Sequence, residues 1–120
     1  MFTLGDTFLG GEQVHGSHHL WIVINDPGQH SDTALFVNVT TLTGVSEKTC
    51  VLQPGEHSFI QHESCIRFAS ARSALATELD TLEARGLITR KQAASPALVA
   101  KVRASARASL FLPQKFLGLL

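Results

Sequence analysis

With only two cysteines in 120 residues and no Cys-x-x-Cys spacing, the chain has little material for a disulfide framework or a thiolate metal site. Cys50 and Cys65 therefore read as buried thiols. Long apolar runs are missing as well: nothing approaches the roughly 18 residues that a membrane-spanning helix needs, although 44% of the residues are hydrophobic. The first residues, Met1 to Gly10, lack the basic start and apolar middle of a signal peptide, so a cytoplasmic location is expected, with no membrane partner. No internal repeat, low-complexity tract or linker interrupts the chain. Its length suits one domain with a real core.

Net charge is absent too, but the charges are unevenly placed. Residues 1 to 65 hold one Lys against seven acids, a balance of −6, and residues 66 to 120 hold nine Lys or Arg against three acids, a balance of +6. Such a dipolar chain can attract phosphate on one side, pair with its own copy or meet an acidic partner; a solvated helical surface is the plainer reading.

What is present is a set of short runs rich in β-branched and aromatic residues, bounded by Gly, Pro, Ser and Asp. The two strongest are His18 to Asn25 (HHLWIVIN) and Ala34 to Leu42 (ALFVNVTTL), which predict paired central strands. If Asp26 to Thr33 turns the chain back as a hairpin, the start of the first run lies beside the end of the second. His18 and His19 would then share a rim with Thr40 and Thr41. Further strands are expected at Thr7 to Leu9, Thr49 to Leu52, His57 to Ile60 and Ser64 to Phe68, with Gly10 to Ser17 a flexible loop and Gln53 to Glu56 a Pro-Gly turn. Five or six such strands suggest a compact, bent barrel over about residues 5 to 68. Trp21, in a run of Ile and Val, reads as core, with base stacking at an open surface as the alternative.

The period then changes. Leu75, Leu79 and Leu82 fall at helical spacing before Gly86, predicting an amphipathic helix over about residues 70 to 85 with Gly86 as its C-terminal cap. Ser95 and Pro96 mark the start of a second helix, over about residues 96 to 109, with Leu98, Val102 and Ala106 on one face. The fold class is mainly β with C-terminal helices.

Taken together, the Gly-Glu-Gln loop, the strand HHLWIVIN, the strand FVNVTT, the later strands and the C-terminal helix resemble the MazF/PemK (plasmid-maintenance) toxin family over roughly residues 5 to 110. That resemblance implies a small SH3-like β-barrel, a homodimer, metal-independent cleavage of single-stranded RNA with no cofactor, and a cognate antitoxin as partner. Thr40 and Thr41 stand where the family has a Thr pair. His19 and Leu20 stand where family members commonly have Arg-Pro, the Arg stabilising the phosphate. An imidazole can exchange a proton near neutral pH, which an Arg hardly can, but it offers less fixed positive charge. Arg67 corresponds to a second basic residue of the family's active surface, although the acid that often follows it has no clear counterpart among Phe68, Ala69 and Ser70.

The chemistry can be set out from the residues. Metal-free RNA cleavage needs a base for the ribose 2′-hydroxyl proton, an acid for the leaving 5′-oxygen and donors for the phosphate oxygens. These needs assign His19, Thr40 and His62 to catalysis, and His18, Thr41, His57 and Arg67 to substrate binding. Two other readings stand beside this one. The first is a non-catalytic SH3-like module that binds a protein or nucleic acid through its Arg-rich C-terminal half or open barrel face. The second is a His-rich metal-binding protein using His15, His18 and His19 with His57 and His62, a spacing that fits no strict zinc signature.

Overall fold

The β-branched runs pair largely as expected in the computed structural model, which describes residues 1–10 and 19–120. Strands β1 (Thr7–Gly10), β2 (His19–Val23), β3 (Thr33–Thr41), β4 (Val51–Leu52), β5 (Ser64–Leu75) and β6 (Thr89–Lys91) form one antiparallel sheet in the order β4-β5-β3-β2-β1-β6. Helix α1 (Ala76–Ala84) joins β5 to β6, and α2 (Pro96–Ala108) follows β6. The result is a mainly β, curled sheet with helices near the C-terminus.

The β2–β3 hairpin closes as the sequence suggests. Asp26 starts a short 3₁₀ turn at Pro27–Gln29 by accepting from Gly28 N–H, and the strands then run in register from Val23 opposite Phe36 to Leu20 opposite Val39. The loop expected at Gly10 to Ser17 falls, beyond Gly10 itself, outside the described residues.

Why β2 and β3 read as nearly unbroken apolar runs becomes clear from the two faces of the sheet. Leu20, Ile22, Ile24, Leu35, Val37 and Val39 face a core closed by Leu98, Val99, Val102 and Ala106 of α2 and by Leu112 and Phe116 beyond it. Trp21, Val23, Ala34 and Phe36 face a second core with Phe2, Phe8, Ile88 and Ala76 and Leu79 of α1. Strands covered on both sides lose the hydrophobic-polar alternation of a half-exposed sheet. Trp21 is therefore core: it stacks edge-on against Phe36, and its indole N–H donates to Gly10 O at 3.1 Å. No exposed face is left for a base to stack on. Gly10 lies so close to Ile88 that an added Cβ would sit 2.6 Å from its Cγ2, so a larger residue would force β1 and Ile88 apart.

Several element boundaries differ from expectation. Residues 70 to 75 are not helix but the far end of β5, where Ser73, Ala74 and Leu75 oppose Leu35, Ala34 and Thr33. Their small, helix-tolerant side chains are overridden by pairing with β3, and Leu75 is 41% exposed rather than part of the helix's apolar face. Between Phe36 opposite Arg72 and Asn38 opposite Arg67 the register jumps, with extra residues on β5. This bulge bends the long strand and curls the sheet. It also takes Phe68 N–H out of the ladder, to donate to Glu47 Oε1 at 3.3 Å.

Helix α1 starts only at Ala76, where Asp32 of the hairpin serves its N-terminus: Asp32 Oδ2 accepts from Thr77 N–H and Thr77 Oγ1. It ends as expected at Gly86, whose φ of +73° allows Gly86 N–H to reach Glu83 O and Leu87 N–H to reach Leu82 O. His57–Ile60 is a turn rather than a strand, closed by Ile60 N–H to His57 O at 2.9 Å. The strand expected at Thr49–Leu52 is reduced to β4. The sheet extends past Phe68 through β5 and recruits β6, which pairs with β1. For α2 the cap is as expected, Ser95 Oγ accepting from Leu98 N–H at 3.1 Å.

Candidate functional site

The β2–β3 register ends at Leu20 opposite Val39, and the residues next to that pair, His19 and Thr40, line one hollow at the rim. On the other side of β3, Thr40 opposes Cys65 and Thr41 opposes Ser64. The Ser64 hydroxyl donates back to His62 O at 2.9 Å, folding the chain so that the His62 ring meets Thr41, with Nε2 and Thr41 Oγ1 3.0 Å apart. His19, Thr40, Thr41 and His62 thereby line one hollow of about 230 Å³, floored by Val39, Phe59 and Ile60. Two imidazoles and two hydroxyls from three separate segments converge there. His62 and Thr41 are exposed and His19 and Thr40 half-buried, so the polar groups remain open to a ligand.

A second hollow, of about 430 Å³, shares Thr40 and Thr41 and extends towards Thr43, Glu47, Arg67 and Phe111. Arg67 opposes Asn38, one strand period from the Thr40–Cys65 pair, so Arg67 and Thr40 lie on one face of the sheet. Among the described residues no carboxylate pairs with Arg67. It stands near the Thr pair but in the neighbouring hollow.

His57 is not brought to this site. It is 5% exposed; its Nδ1 accepts from Phe59 N–H at 3.0 Å and its Nε2 lies 2.6 Å from Gln92 O, which fixes the donor at Nε2. Both ring nitrogens are committed to holding the turn against the segment after β6. His18 and His15 lie outside the described residues. Among the described residues no group of three His, Cys, Asp or Glu is placed to hold a metal, and His57 has no lone pair left to give.

Three residues of this surface escaped the sequence reading. Asn38 interrupts an apolar strand, and its Oδ1 is buried with no hydrogen-bond partner among the described residues; a polar residue inside FVNVT was the signal for it. Glu47 and Phe111 lie far apart in the chain and meet only in the fold. Cys65 lines the second hollow, and Cys50 lies buried behind β4, where burial pushes its thiol up and keeps it protonated.

The fold has a solved counterpart. The chain is similar to an endoribonuclease in complex with its cognate antitoxin from a mycobacterial species, with a TM-score of 0.56, 12% sequence identity and coverage of 93% of this chain and 95% of that one. At such identity it is the architecture that is shared. No family model and no curated protein matches the sequence. Among the described residues no helix is long and apolar enough to cross a membrane.

Proposed function

We propose that the protein is a toxin-like endoribonuclease of the MazF/PemK kind, cleaving single-stranded RNA by general acid-base chemistry. The observation that carries this reading is the convergence of His19, Thr40, Thr41 and His62 on one small, open hollow. The shared architecture with an endoribonuclease supports it. In the proposed reaction one imidazole removes the ribose 2′-hydroxyl proton as the 2′-oxygen attacks phosphorus. The other protonates the departing 5′-oxygen, leaving a 2′,3′-cyclic phosphate and a 5′-hydroxyl. Thr40 and Thr41 donate to the phosphate oxygens, and Arg67 adds positive charge from the adjoining hollow. His19, the first residue of β2, stands where the family resemblance implies a fixed positive charge, and it brings instead a group that can carry the proton.

The test is cleavage of single-stranded RNA oligonucleotides by the wild-type protein and by His19→Ala, each with and without excess chelator. Cleavage that persists in chelator and falls ~10²-fold or more in the variant is the expected result. Loss on chelation with rescue by zinc would instead favour a metal site at the histidines. A wild-type protein that binds RNA or a protein partner through Arg67 but cuts nothing would leave the binding-module reading in place.

A further inference from the structure

The hollow around Glu47 has features that phosphate cleavage does not use. Glu47 is half-buried and held by three donors: Thr49 Oγ1 at 2.6 Å and Ser109 Oγ at 2.6 Å on Oε2, and Phe68 N–H at 3.3 Å on Oε1. Among the described residues Oε2 is thus saturated by two hydroxyls, while Oε1 takes a single donor and has capacity for a second. The same Ser109 hydroxyl accepts from Phe111 N–H at 3.0 Å and Leu112 N–H at 3.2 Å, which fastens the chain after α2 to Glu47. The ring held there, Phe111, is 58% exposed on the wall of the hollow. A fixed carboxylate, an aromatic ring and Arg67 are therefore arranged around a space adjoining Thr40 and Thr41.

We infer that this second hollow is a base-binding subsite, which takes the nucleobase next to the scissile phosphate and favours a base carrying an amino group over uracil. The inference rests on the ribonuclease reading and extends it to sequence preference. An aromatic ring offers any base a stacking surface. The carboxylate selects, because it accepts from an exocyclic amino group such as cytosine N4 but meets the carbonyl oxygens of uracil with like partial charge. A space of about 430 Å³ suits a single small ligand better than a docked protein element. Its wall is pre-ordered by hydrogen bonds rather than left to adapt, as a selective site requires.

The experiment has two arms. In the first, cleavage positions in a random-sequence single-stranded RNA pool are mapped for the wild type, Glu47→Gln and Phe111→Ala, with folding checked by circular dichroism. The wild type should disfavour uracil at one fixed position beside the cut. Glu47→Gln should lower that discrimination about tenfold, and Phe111→Ala should raise KM about tenfold, more than it changes kcat. Folded variants with the wild-type profile and KM would overturn the subsite. In the second arm, CMP and UMP are titrated into the wild-type protein while the Phe111 ring resonances are followed, which does not require catalysis. Shifts with CMP at concentrations where UMP gives none support the subsite even if no RNA is cut. Equal shifts or none overturn it, as would a smaller assembly in sedimentation for Phe111→Ala than for the wild type, which would mark the ring as a protein contact.

Discussion

His57 and His62 are near neighbours in sequence and have opposite surroundings. His57 is buried with both nitrogens bonded, whereas His62 is exposed with Nε2 at Thr41 and the rest of its ring open to the hollow. Their substitutions should therefore separate stability from activity. His57→Ala removes a buried group, leaves Phe59 N–H without its partner and leaves Gln92 O with the Thr7 hydroxyl alone, so it should cost about 1–3 kcal/mol in a denaturant titration. His62→Ala should leave the unfolding midpoint nearly unchanged while lowering RNA cleavage to a similar extent as His19→Ala. If His62→Ala cuts RNA at the wild-type rate, His62 is only a surface residue and the two-imidazole scheme fails. Thr40→Val should reduce cleavage less than either, since it removes one neutral donor and keeps the shape.

At the level of elements, the C-terminal third is fastened to the sheet by a few defined contacts. Leu79 is 2% exposed in the core beneath α1, and Leu79→Ala should cost about 2–4 kcal/mol in the same titration. A loss below about 0.5 kcal/mol would make α1 peripheral. Arg90 of β6 binds Asp6 at 2.8 Å and Glu83 at 3.0 Å and lies over the Phe2 ring, tying edge strand, helix and N-terminus together. Lys101 of α2 binds Glu56 at 2.9 Å in the turn after β4. Desolvation raises the Glu56 carboxyl, but the Gln53 N–H bond and the Lys101 ammonium together outweigh it and hold the group below its ordinary 4.5. A depressed carboxyl contributes stability above its unfolded value and loses it as pH falls through the folded one. Lys101→Met should therefore lower stability by about 0.5–1 kcal/mol near neutrality, because the pair is partly exposed. That difference should close in thermal melts as pH drops well below 4.5.

Over the whole molecule, the charge asymmetry of the chain is partly spent on internal pairing: Asp6 and Glu56 from the acidic half meet Arg90 and Lys101 from the basic half. What remains at the site is Arg67, exposed beside the Thr pair. A rim formed by the ends of β2 and β3 would gain a longer RNA groove from a two-fold copy. We therefore expect a homodimer, with sedimentation at micromolar concentration giving about twice 13.0 kDa. A clean monomer would confine the proposed RNA site to a single chain. Under the proposed function, a cognate antitoxin should abolish RNA cleavage in a mixing assay and move the protein into a faster-sedimenting complex.

The sequence by itself determined the elements whose signals are local. The hydrophobic runs placed β2 and β3, Asp26 and Pro27 turned the hairpin, Gly86 and Ser95 marked helix ends, and the hairpin brought His19 and Thr40 to one hollow. Tertiary structure decided whatever depends on a distant partner. Residues 70 to 75 are strand because β3 pairs with them through a bulge, and α1 begins where Asp32 can reach its first turn. His57 is structural because Gln92, in a segment after β6, meets its ring. Glu47 and Phe111 share one hollow because Phe68 N–H at the bulge and Ser109 at the end of α2 arrive at the same place to hold them. Local propensity and periodicity are short-range, whereas a bulge, a saturated imidazole and a carboxylate held by three donors exist only after the chain has closed on itself.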